Sequence, residues 1–406
     1  MTVLLYIVDW LPPDYGAVGQ YALQESRDRA ARGDDVVLVG LSSSAGSSDV
    51  QDVGRGHLTL IRIRCRPVDK GNLRRRAWWT LKTDLRLVWA ARRHLRTAEE
   101  VLFTGSPPFL EHLLTPLSLL LGTRLTFRLS DFHPECLMAH LGRIPWWLRL
   151  FHALTLRWRR TVTRIEVLGE DQRRLLAAQG VADGRIVLRR SRSPVEVASH
   201  TPPLPIPTEL AGRAVVLYSG AVTHAHEYET FVEGYRLHHH EGSARAALWL
   251  NATGVRADAF ERAVREAGLP LHRTSAVPID QLASLLITPD AHLITLRDAY
   301  VGLCVPSKVY GCIESRRDVL YVGSRQSEVH LLCDRHLDPR GYFRVDIGDG
   351  RGVARALEAV ADRAAAGALA GPRASAARSA PKAASLGRAD ELLPLRATIS
   401  SPARRA

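Results

Sequence analysis

Short apolar runs recur along this chain, separated by stretches of helical spacing. Val3 to Val8, Asp35 to Gly40, Val101 to Thr104, Leu125 to Leu129 and Ile165 to Gly169 read as strands. Nearly continuous apolar runs of this length are expected of strands buried on both faces of a parallel sheet. Leu58 to Ile63 alternates, and Ile186 to Leu188 closes the set. Gln20 to Arg32 has Leu23 and Ala30 on one side and charges on the other. Lys70 to Arg96 and Gly142 to Arg160 are basic amphipathic segments carrying tryptophans, and Glu170 to Gln179 is a helix ending at Gly180. Ser42 to Gly56 reads as a Ser/Gly/Asp loop. The opening order of strand, turn-rich loop, helix and strand predicts a doubly wound α/β sheet.

The pattern starts again after a break. Ser191 to Pro207 is rich in proline and has no period, which makes it a linker. Strands are predicted at Ala214 to Tyr218, Ala246 to Leu250, Leu293 to Leu296 and Val319 to Val322. Helices are predicted at Thr230 to His239, Ala257 to Ala267, Gln281 to Leu286 and Arg351 to Ala366. Val329 to Val345 shows no regular pattern. The expected division is a first Rossmann-like domain over 1–195, a linker over 196–212, a second such domain over 213–366, and a disordered basic tail over 367–406, where Ala, Arg, Ser and Pro dominate.

Composition narrows the class. A chain of 406 residues suits two domains. No apolar run approaches the roughly 20 residues that span a bilayer. The first residues lack a basic leader and read as a strand, not a signal peptide. The five cysteines have no metal spacing and read as buried thiols in a reducing cytosol. A formal charge of +13 favours anionic partners.

The chemistry concentrates between Leu293 and Gly323. A glycine-bearing loop leads to Pro306, Ser307 and Lys308, and Pro306 sits where a first helical residue is favoured. A helix start with free N–H groups and a positive dipole end attracts anions. Lys308 adds a full charge and Ser307 a hydroxyl. Gly16, in the first loop, permits close backbone approach, and Ser219-Gly220 forms the first loop of the second domain. Asp131, His133 and Glu135 follow a first-domain strand. A carboxylate there either faces a cleft or caps a helix. The two basic tryptophan-bearing segments have the composition of interfacial helices, and equally of helices packed on their own domain.

The run G-L-x-V-P-S-K-x-Y, carried here by Gly302, Val305, Pro306, Ser307, Lys308 and Tyr310, resembles the donor loop of the family 4 nucleotide-sugar glycosyltransferases, in the subgroup that builds cell-surface polysaccharides. LPPDYG, GSPP, DFHPE, LGEDQRRLLAAQGV, YSGAV and AVPIDQLASLL precede it in the order of that family. The resemblance covers roughly residues 1 to 365. It implies a GT-B fold, two Rossmann-like domains facing across a cleft, and transfer of a sugar with retention from a nucleoside diphosphate to a lipid-linked or polysaccharide acceptor. It assigns Gly16, Gly220, His226, Pro306, Ser307, Lys308 and Tyr310 to the donor, and Asp131, His133 and Glu135 to catalysis on the acceptor side. It implies no cofactor and no metal, since no paired carboxylates stand at ligand spacing. No nucleic-acid partner is expected. The expected location is the cytoplasm of a bacterium, with peripheral attachment at the inner membrane face through the basic helices. Departures from the family pattern are Gly311 for the ribose-binding glutamate, Ala221 and His226 for a basic pair, His133 for a tryptophan, and Arg317-Asp318 for a glycine-proline turn. These departures, with the charge of +13, keep open a non-catalytic GT-B binding subunit. A nucleotide-sugar epimerase on the same fold is the other alternative, although the paired acidic and histidine residues it needs around the sugar are not found in this sequence.

Overall fold

The computed structural model describes residues 3–369 other than 13, 15, 16, 45, 67–72 and 107. Two parallel sheets organise them. The first contains β1 (Val3–Trp10), β2 (Asp35–Ser42), β3 (Ser47–Val53), β4 (Gly56–Arg64), β5 (Glu100–Thr104), β6 (Arg124–Leu129), β7 (Arg164–Val167) and β8 (Ile186–Leu188). Its order is β3-β4-β2-β1-β5-β6-β7-β8. Every pair is parallel except β3 with β4. The helices are α1 (Ala17–Arg32), α2 (Leu73–Ala91), α3 (Leu110–Leu121), α4 (Glu135–His140), α5 (Trp146–Arg159) and α6 (Glu170–Ala178). Leu5, Ile7, Val39, Phe103 and Phe127 fill the core on one face, and Leu4, Tyr6, Leu38 and Ala22 the other.

The second sheet contains β9 (Ala214–Ala221), β10 (Ala246–Thr253), β11 (Leu271–Thr274), β12 (Ala291–Thr295), β13 (Asp318–Val322) and β14 (Tyr342–Val345). Its order is β11-β10-β9-β12-β13-β14, and all pairs are parallel. Its helices are α7 (Glu229–His240), α8 (Ala257–Glu266), α9 (Ile279–Ile287), α10 (Lys308–Ser315), α11 (Glu328–His336) and α12 (Gly350–Leu369). The strand order reverses between β1 and β5 in the first sheet and between β9 and β12 in the second. Ligands of open α/β sheets bind outside the carboxyl ends of strands at such switch points.

Several elements differ from the sequence reading. The predicted Ser42–Gly56 loop contains β3, an exposed strand held by antiparallel pairing with β4. The patternless stretch 329–345 holds α11 and β14. α3 contains Pro116 and is inverted in polarity, with Glu111 and Thr115 buried and Leu119, Leu120 and Leu121 exposed, so its pattern does not mark it as a surface helix. α12 runs to Leu369, so residues 367–369 of the expected tail are helical. The remainder of that tail, 370–406, lies outside the described residues.

The two domains meet through a pair of reciprocal helix caps. The Glu328 carboxylate accepts from the Glu170 N–H, the first of α6, at 2.7 Å. The Asp171 carboxylate accepts from the Glu328 N–H, the first of α11, at 2.9 Å. Each carboxylate thus sits at the positive end of the other domain's helix. Arg190 anchors Glu328 at 2.7 Å. Asp171 also accepts from the Gly302 N–H at 3.3 Å. Gly302 has φ +77, and a Cβ there would stand 3.1 Å from the Asp171 carbonyl oxygen. Gly302→Ala is therefore expected to lower stability by ~1–2 kcal/mol, the usual cost of left-handed backbone for a residue with a Cβ. Denaturant unfolding measures this, and an unchanged midpoint contradicts it.

Candidate active site

On the second domain the site forms at the β9/β12 switch. α10 begins at Lys308, with Ser307 as its N-cap. Pro306 stands one residue before the cap, not at the first helical position as predicted, and its carbonyl accepts from the Val309 N–H at 3.1 Å. Ser307 is exposed, and its side chain makes no capping bond. Lys308 turns inward over the Tyr218 ring, with Nζ 3.3 Å from the ring centroid. Its Nζ is buried and has no hydrogen-bond partner among the described residues. Burial pushes the ammonium down to about 7, because the charged form loses its hydration. Gly220 lies beside it with φ +122, and a Cβ there would come within 3.6 Å of Lys308 Cε. The left-handed backbone at Gly220 favours glycine, and its Cα stands close against the lysine stem.

His226 does not supply the second cation. It is buried, and its Nδ1 accepts from the Thr223 N–H at 3.0 Å. Burial first, and the Lys308 charge second, push it down to about 3. It is neutral near pH 7. Tyr310 does not line the donor side either: its hydroxyl reaches the Leu168 carbonyl of the first domain at 3.5 Å. Gly311 is buried, and a Cβ there would meet Leu286 Cδ1 at 3.1 Å and Ser193 Oγ at 3.8 Å. The place of the family's ribose-binding glutamate is filled by apolar packing. Gly16 lies outside the described residues.

On the first domain, β1, β5 and β6 deliver Asp9, Gly105-Ser106 and Asp131 to one edge. A Cβ on Gly105 would lie 3.6 Å from the Asp131 carbonyl oxygen. Asp131 does not cap α4, because Pro134 occupies the N-cap. It is exposed, but it sits where the domains converge. Loop 300–304 of the second domain closes over this turn, where the Phe132 N–H donates to the Leu303 carbonyl at 2.9 Å. Beyond it, the His140 and His224 rings meet across the two domains with centroids 3.9 Å apart.

Glu135 has another task. It is buried against Arg159, His152 and Gln179, with an Arg159 Nη2 contact of 3.1 Å and a Gln179 contact of 3.1 Å. Desolvation would raise its carboxyl, but hydrogen bonding from His152 and the Arg159 charge outweigh that and hold it near about 2. It pins α4 to α5, and Arg159 also donates to the His133 carbonyl at 2.7 Å. Glu135 and Arg159 thus position the turn that carries Asp131. Sequence reasoning missed Asp9. Its Oδ1 is buried with no hydrogen-bond partner among the described residues, and burial raises its carboxyl while the Ser106 side chain opposes. An acid closing an apolar first strand was the available signal.

The basic tryptophan helices present their aromatic residues outward. Trp78 and Trp89 on α2 and Trp146 and Trp147 on α5 are exposed, Trp146 by 73%. α3 packs against both helices and adds exposed Leu119, Leu120 and Leu121. Lys82, Arg86, Arg149 and Arg157 are exposed on α2 and α5. Among the described residues, no helix is long and apolar enough to cross a membrane.

No family profile matches the chain, and no curated protein matches it. Solved structures do. WaaG, a glycosyltransferase involved in lipopolysaccharide biosynthesis, is 14% identical with a TM-score of 0.59, over 93% of this chain and 94% of that one. Anabaena Alr3699/HepE, solved with UDP and glucose, is 8% identical with a TM-score of 0.58, over 91% and 95%. The α,α-trehalose 6-phosphate synthase of Burkholderia multivorans is 13% identical with a TM-score of 0.58, over 93% and 95%. Near-complete coverage of both chains at such low identity speaks to architecture: two parallel-sheet α/β domains in the GT-B arrangement.

Proposed function

We propose that this protein is a glycosyltransferase that moves a sugar from a nucleoside-diphosphate sugar to an acceptor hydroxyl. One observation carries this reading most: Lys308, at the first residue of α10, holds a buried ammonium without a hydrogen-bond partner among the described residues, over Tyr218 and beside Gly220. As the glycosidic bond to phosphate breaks, negative charge grows on the leaving diphosphate. A preplaced ammonium and a helix N-terminus stabilise that charge without reorganising. Across the cleft, Asp131 takes or orients the acceptor proton. Asp9 and His133 flank the acceptor hydroxyl.

Retention of configuration, and an acceptor that is lipid-linked or part of a polysaccharide, follow from the resemblance of the donor loop. The exposed Trp and Arg residues on α2 and α5, with the α3 leucines, support attachment to an anionic membrane face. Each basic side chain near such a face adds about 1 kcal/mol. A cytoplasmic enzyme at the inner leaflet fits all three.

Thermal-shift screening with ADP, GDP, UDP and dTDP, followed by transfer assays with the matching nucleotide sugars, tests the reading. One nucleotide should stabilise the protein, and its sugar should be consumed. In this reading Lys308 supplies the positive charge at the diphosphate, so transfer is expected to survive chelator undiminished. Loss in chelator, restored by Mg²⁺ or Mn²⁺, contradicts that.

A second reading has its own support. With His226 neutral and Gly311 lacking a carboxylate, the donor side holds fewer polar contacts than the family pattern, as a binding subunit that has lost catalysis would. Nucleotide binding without turnover or hydrolysis of any nucleotide sugar is the outcome that selects it.

A further inference from the structure

Two of the five cysteines lie on adjoining segments of different domains. Cys136 is the second residue of α4, and Cys304 lies in the loop between β12 and α10. Both are part-buried, whereas Cys65, Cys312 and Cys333 are buried. The Cys136 thiol points to the Leu303 carbonyl at 3.8 Å. The Phe132 N–H donates to that same carbonyl at 2.9 Å, which fixes the two backbones side by side. Both side chains pack on one apolar cluster that includes Tyr300, Val305 and Val309.

We propose that Cys136 and Cys304 are a modification site, a thiol pair that a disulfide-type oxidant converts to an interdomain disulfide. The bond would join the turn that carries Asp131 to the loop that carries Lys308. The Cys136 thiol reaches the carbonyl of Leu303, the residue next to Cys304. The exchange opens at Cys136 and closes at Cys304. The Cys136 thiolate attacks one sulfur of oxidised glutathione, forms a mixed disulfide and releases one glutathione thiolate. The Cys304 thiolate then attacks the Cys136 sulfur and releases the second. Two electrons pass from the cysteines to glutathione, and the two cysteine protons end on the two released thiols.

The other cysteines supply the control. Cys65, Cys312 and Cys333 are buried, which shields their thiols from a disulfide in solution. The test uses the full chain, natively folded, incubated with oxidised glutathione, alkylated, and digested without reductant for mass spectrometry. The expected product is a linked pair of peptides containing Cys136 and Cys304, lighter by two hydrogens and separated by dithiothreitol. Cys65, Cys312 and Cys333 should be recovered alkylated. Cys136→Ser should abolish the linked product and leave thermal unfolding nearly unchanged. Recovery of both cysteines as alkylated or singly glutathionylated peptides overturns the proposal, as does a Cys312–Cys333 link instead. The wild-type result decides even where the serine variant fails to fold, and it does so whether or not the protein transfers sugar.

Discussion

Lys308→Ala is expected to weaken nucleoside-diphosphate binding by roughly 10- to 100-fold, the size of one lost charge-assisted hydrogen bond. Folding should not suffer. The free ammonium is buried over Tyr218 without a hydrogen-bond partner among the described residues. Removing it relieves a desolvation cost instead of breaking a bond, so the melting temperature should hold or rise. The pH dependence gives the lysine a signature. Its ammonium is lowered to about 7 in the free protein, and a bound diphosphate favours the charged form. The bound value therefore lies above the free one. Affinity should be flat below about 7 and should fall as pH rises towards the bound value. The variant should lose that slope. Full affinity in Lys308→Ala would remove the diphosphate from the start of α10.

Asp131→Asn is expected to cut turnover by about 10²- to 10⁴-fold, the usual contribution of a general base. The structure sharpens this test. A capping role would tolerate Asn, but Pro134 occupies the cap of α4, and Asp131 is exposed. Stability should therefore be unchanged, and so should nucleotide affinity, because the donor contacts lie on the second domain. Steady-state kinetics combined with calorimetry separates these effects. Normal turnover in the variant would pass the acceptor role to Asp9 or His133.

How far the sequence foretold this site follows from how local each feature is. The strands β1, β2, β5, β12 and β13 were legible because both their faces are buried and their apolar runs are nearly unbroken. β3 was not, because Ser47–Val53 is polar and mostly exposed, and only its pairing partner makes it a strand. Lys308 was legible because a helix start, a proline and a basic residue are neighbours in sequence. The fates of Glu135 and His226 were not. Glu135 is claimed by Arg159, 24 residues away, and His226 is kept neutral chiefly by burial. Neither effect leaves a mark on nearby residues. Tyr310 matched the family pattern, yet it contacts Leu168, which is 142 residues distant. Facts of that range exist only once the two domains have met.

The most direct measurement is a calorimetric titration of UDP, the nucleotide bound in the Anabaena HepE structure, into wild-type protein and Lys308→Ala. Each titration is run at pH 8 in two buffers of different ionisation enthalpy. The wild type should bind and take up close to one proton, because a lysine lowered to about 7 is mostly neutral at that pH and becomes charged against the diphosphate. The variant should lose both the affinity and the proton uptake. Equal affinity and equal proton uptake in the two proteins, or no nucleotide binding by the wild type with UDP, ADP, GDP and dTDP alike, would contradict the central claim.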